Sequence, residues 1–136
     1  MRLTRSKTTI EPFFVDFEIY FTDDPTALAK KLIKQNPDPA ISDELTRDWI
    51  GNDTGGASVS AGMMGIKRDT YGIIAIFDSR IIKENTHSYF AHESMHILSH
   101  ILMWTGAKYD PNNDEWTAYM VDYIFRLIEN TYKKSK

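Results

Sequence analysis

The sequence predicts an α+β domain in which a mostly antiparallel or mixed sheet packs on one long helix and a second long C-terminal helix. Three observations carry this. Residues 12–21 alternate apolar and polar side chains with the period of a strand, and residues 70–77 are β-branched and apolar on both faces. Two later stretches, near 86–105 and 112–131, repeat apolar residues at helical spacing. A length of 136 residues suits one core and one domain, 1–136, with loosely ordered ends expected near 1–9 and 132–136.

In the first strand Phe13, Val15, Phe17, Ile19 and Phe21 share one face, while Phe14, Asp16, Glu18 and Tyr20 share the other. The expected sheet therefore has one buried face and one partly wet face. Asp23 or Asp24 then caps a helix with Pro25 in its first turn. That helix runs to about Gln35 through Leu28, Ala29, Leu32 and Ile33, and Asn36-Pro37-Asp38-Pro39 ends it because a residue before proline is pushed out of the α region.

Ser42 or Asp43 can open a short helix through Leu45, Trp49 and Ile50, and residues 51–56 (GNDTGG) form a turn or loop. Those glycines lack the Gly-Lys-Ser or Gly-Lys-Thr ending and the strand-to-helix setting of a phosphate-binding loop. Ala57–Ala61 reads as a short strand, and Met63 and Met64 as gap-filling core residues rather than the lining of a cleft. Residues 70–77 are the more deeply buried strand.

The next helix runs from about Thr86 to about Thr105, with Asn85 or Thr86 as its N-cap and Gly106 ending it. In the last helix Asn112 can serve as N-cap with Glu115 at the third position. It carries Trp116, Tyr119, Met120, Tyr123, Ile124, Leu127 and Ile128 on one broad apolar stripe to about Thr131.

Composition narrows function. A net charge of -3 offers no electrostatic reason to bind nucleic acid, and Arg2, Arg5, Lys7, Lys133, Lys134 and Lys136 read as solvated termini. No run approaches a membrane span, and no apolar leader follows the first basic residues, so a cytoplasmic protein without membrane partners is expected. With no cysteine, any metal would need His and carboxylate ligands.

Such ligands have a candidate. His92 and His96 are four residues apart, one turn along the same helix face, where two imidazoles can reach one ion. Glu93 follows the first histidine, where a carboxylate can deprotonate a metal-bound water. A catalytic zinc takes three protein ligands, and the close third histidine of an HExxHxxGxxH run is absent, Ser99 and Leu102 standing in that stretch. Glu115, in the first turn of the next helix, is the preferred third ligand, Asp114 the reserve, and capping its own helix the bland alternative for Glu115. Helical drift turns His100 away from a centre fixed by the first two histidines, so it reads as a wall residue, and His87 as a capping or exposed one.

The residues His92-Glu93-Ser94-Met95-His96 and Glu115-Trp116-Thr117-Ala118-Tyr119 resemble the zincin-type zinc metallopeptidases, in the thermolysin-like branch where a glutamate on a following helix completes the site. They also resemble small phage- and prophage-encoded proteins that keep only a minimal zincin core. The resemblance covers mainly residues 70–128. It implies a small zincin-like domain, zinc held by His92, His96 and Glu115, and hydrolysis of a peptide or protein substrate by metal-activated water with Glu93 as general base. It also implies an edge strand at Tyr71–Phe77 that aligns an extended peptide, and an oxyanion-stabilising group for which Tyr109, Tyr119 and Tyr123 are nearest in sequence. Tyr119 stands where better-known members carry a supporting Asp, a part Asp122 is placed to take. The alternative is a phage or mobile-element structural or accessory protein with a degenerate site or a structural zinc. A DNA-binding module is a third class, and neither a basic face nor a recognition helix supports it.

Overall fold

The structure is a computed structural model and describes residues 1–11, 13–35, 62–67, 71–83 and 87–136. Its elements are β1 (Leu3–Ile10), β2 (Val15–Thr22), α1 (Pro25–Gln35), β3 (Gly62–Lys67), β4 (Gly72–Asp78), α2 (Ser88–Thr105) and α3 (Glu115–Ser135). The short helix expected from Ser42 or Asp43, the 51–56 loop, the strand at Ala57–Ala61, the side chains of Met63 and Met64, and the Asn85 or Thr86 cap lie outside the described residues.

Among the described residues the strands form a four-stranded sheet in the order β1-β2-β4-β3. β1 pairs antiparallel with β2, β2 parallel with β4, and β3 antiparallel with β4, so the sheet is mixed and the domain α+β, as expected. The β1 strand was not legible as one. Its residues 3–9 read LTRSKTT, with no apolar alternation to mark a buried face, yet Leu3 pairs with Thr22 and Ile10 with Val15 along the whole of β2. The first ten residues are thus mostly an edge strand rather than a loose end, and at the other terminus α3 continues to Ser135.

Both faces of the sheet are covered. Val15, Phe17, Ile19 and Phe21 of β2 and Ile73, Ala75 and Phe77 of β4 meet Phe90, Ile97, Leu98 and Ile101 of α2 and Met120, Ile124, Ile128 and Tyr132 of α3. On the opposite face Tyr20, Ile74 and Ile76 meet Leu28, Ala29 and Leu32 of α1. The second face of β2, expected to be partly wet, is therefore buried at Glu18, Tyr20 and Thr22. Its polar groups are satisfied locally: Arg5 Nη2 donates to Glu18 Oε1 at 2.7 Å and the Tyr20 hydroxyl donates to the same oxygen at 3.2 Å.

The helix termini follow local chemistry. Asp24 Oδ1 accepts the Ala27 backbone N–H at 3.1 Å, the expected cap for α1 ahead of Pro25. Gly106 ends α2 in the left-handed region with φ 71°, as its position suggested. At α3 the N-cap is Asp114, not Asn112, whose backbone N–H is instead taken by Asp110 Oδ1 at 2.9 Å.

Candidate functional site

His92 and His96 stand on neighbouring turns of α2 with ring centroids 4.7 Å apart. Their Nε2 atoms approach to 3.1 Å, so one imidazole donates to the other in complementary tautomers. Phe90, Ile97 and Ile101 define the buried side of α2. At 3.6 residues per turn the two histidines point about 200–240° round from Phe90, away from the sheet. Both are exposed, whereas Glu93 is buried.

The helices α2 and α3 run antiparallel. Their register is set by His87 Nδ1, 3.7 Å from Glu129 Oε2, and by the Phe90 and Phe125 rings, 6.1 Å apart. In that register Glu115 comes level with about residue 101, roughly 7 Å along the axis from His96. It is exposed in the first turn of α3. The described residues contain no group of three or more His, Cys, Asp or Glu side chains that could hold a metal ion. Two imidazole nitrogens fall short of the three protein ligands a catalytic zinc takes, so the residues present do not fit the metal.

No protein-family model, no curated protein and no solved structure matches the chain.

The resemblance to zincin metallopeptidases and their minimal phage-encoded relatives is corrected accordingly. Zinc as cofactor, metal-dependent peptide hydrolysis with Glu93 as base, and the metallopeptidase assignment are overturned by the lack of a ligand group among the described residues, and no match offers independent support. The sheet corrects a further implication. The strand expected to align a peptide along its free edge is β4, and β2 and β3 occupy both of its sides.

What the helices build together is a groove of about 570 Å³ along the α2–α3 seam. Met95 of α2, Tyr109 of the connection, and Asp114, Thr117, Ala118, Val121, Asp122 and Phe125 line it. Met95 and Tyr109 are 50% and 56% exposed, so large apolar side chains face solvent here. From the sequence, Tyr109, Tyr119 and Tyr123 stand only as the nearest candidates for an oxyanion-stabilising group, none of them assigned, and α3 as one broad apolar stripe. The groove lies beside a second, shorter apolar row of α3, Ala118, Val121 and Phe125, which was the overlooked signal and is separate from the stripe. Met120, Ile124 and Ile128 are buried, while Trp116, Tyr119 and Tyr123 remain 38%, 67% and 38% exposed. One helix carries more apolar surface than a single packed face can cover.

Proposed function

We propose that this chain is a non-catalytic accessory protein that docks a segment of a partner protein in the groove between α2 and α3. One observation carries the reading: a concave, largely apolar channel of about 570 Å³ whose Met and Tyr side chains stay exposed in the folded chain. Exposed apolar surface of this kind is costly to keep unless it is covered in function. Methionine and tyrosine are also residue types enriched at protein interfaces, one adaptable in shape and the other apolar with a polar tip.

In this role His92 and His96 belong to the exposed outer side of α2, near Met95 in sequence. Glu93 is a buried carboxylate of the same helix, and Glu115 is a negative charge placed favourably at the N-terminal end of α3. None has a part in chemistry.

The test is a random-peptide display selection on the immobilised chain, run beside an Ala118→Arg variant. Ala118 is exposed, so the arginine fills the groove without entering the core. A consensus enriched on the native chain and lost on the variant is the expected result. No enrichment, or enrichment equal on both, would remove the groove as the functional surface.

A further inference from the structure

Resting on the docking reading, we infer that the occupant of the α2–α3 groove is a basic amphipathic helix of a partner protein.

The groove is walled by side chains of two helices and the connection between them. Beyond the first turn of α3 the helical backbone N–H and C=O groups are already spent on internal bonds, so the helical walls offer no continuous row of groups for a strand to pair with. An extended peptide would have to desolvate its own backbone there. A helix brings its backbone already satisfied and needs only to offer apolar side chains at i, i+3/i+4 and i+7. Met95, Val121 and Phe125 supply the matching apolar contacts, and Ala118 leaves room between them.

Among the described residues the charges in the lining have one sign: Asp114 and Asp122 are its carboxylates, and no lysine or arginine lines it. They are eight residues apart on one helix, so about 12 Å separates them along the axis of α3. A partner helix aligned with α3 meets both when it carries Lys or Arg at i and i+7 or i+8 on the flank of its apolar stripe. Asp122 already faces Arg126 at 3.0 Å, an exposed i,i+4 pair that a better-placed cation can replace at little cost. Asp114 is exposed at the N-terminal end of α3. The combination of an apolar floor with acidic walls selects a positively charged helix and repels an acidic one.

Three fluorescent helical peptides of equal length test this by anisotropy against the whole chain. One has a leucine stripe flanked by lysines at i and i+7, the second has glutamates in place of those lysines, and the third is a scramble of the first. We expect the lysine peptide to bind at least tenfold more tightly than the glutamate peptide, with affinity falling as salt rises. The double variant Asp114→Asn/Asp122→Asn should weaken it about threefold to tenfold and flatten the salt dependence, and Ala118→Arg should abolish it with the circular dichroism spectrum unchanged.

Equal binding of the lysine and glutamate peptides would overturn the basic-helix inference. So would binding that both groove variants leave intact. Either result leaves the docking reading to the display selection. A consensus from that selection that is groove-dependent but acidic, or rich in proline, would keep the docking face and discard this occupant.

Discussion

Tyr20 lies in the covered second face of the sheet, 4% exposed, with its hydroxyl on the Glu18 carboxylate and the Arg5 guanidinium 5.8 Å from its ring centre. Burial, and then the Glu18 charge, push its phenol from 10.0 up to about 12. The sign of the consequence is fixed by which state holds the proton. Above about pH 10 the unfolded chain releases it while the folded chain keeps it, so the folded state binds more protons through that window. The stabilisation is fully present below pH 10 and is lost as pH rises towards about 12. A shift of this size corresponds to roughly 2–3 kcal/mol at its limit. Tyr20→Phe removes the titration. The gap in unfolding free energy between native chain and variant, followed by urea titration at successive pH values, should therefore drift towards the variant above pH 10. Parallel curves through that window would mean the phenol is not held as described. At this scale the sequence was partly legible. The alternation placed Tyr20 and Glu18 on one face of the strand, but nothing local showed that α1 would cover that face or that Arg5 would reach it.

At the level of elements, the helices were read best where one residue type has one conformational use. Pro25 after Asp24 and Gly106 after Thr105 marked the start of α1 and the end of α2, and the structure places both boundaries there. Gly106 permits a clean test. Its φ is 71°, and nothing lies within 4 Å of where a Cβ would stand, so any cost of substitution is conformational rather than steric. Gly106→Ala should lower unfolding free energy by about 1 kcal/mol, and Gly106→Asn by less, because asparagine tolerates the left-handed region better. Equal stability of Gly106→Ala in urea unfolding would show that α2 does not end in this cap. What stayed hidden was how the helices face one another. The spacing of His92 and His96 is a property of one helix and was visible. The position of Glu115 depends on Phe90 meeting Phe125 and His87 meeting Glu129, pairings that no periodicity encodes. A ligand set that needed two helices was therefore beyond a one-dimensional reading.

For the molecule as a whole, the decisive difference lies at the N-terminus. Reading residues 1–9 as a loose end implies that they can be removed freely. The structure makes them most of β1, which closes the side of β2 opposite β4 and touches α3. A polar edge strand is hard to see in sequence because its solvated side chains carry no burial pattern, and charged residues such as Arg5 and Lys7 also discourage edge-to-edge association. Deleting residues 1–10 would leave the β2 backbone groups that now bond to β1 without partners. It would also open one flank of Phe17 and Phe21, which are 0% and 2% exposed in the intact fold. Both effects fall on a central strand, and together they should exceed the few kcal/mol by which a domain of this size is stable. The truncated chain is therefore expected to lose its cooperative unfolding transition and to elute as aggregate in size-exclusion chromatography. A truncated chain that stays monomeric, with the same urea midpoint as the intact one, would return these residues to the status of a tail. It would leave β2 as the sheet's true edge, and the Arg5–Glu18–Tyr20 cluster would contribute nothing measurable to the fold.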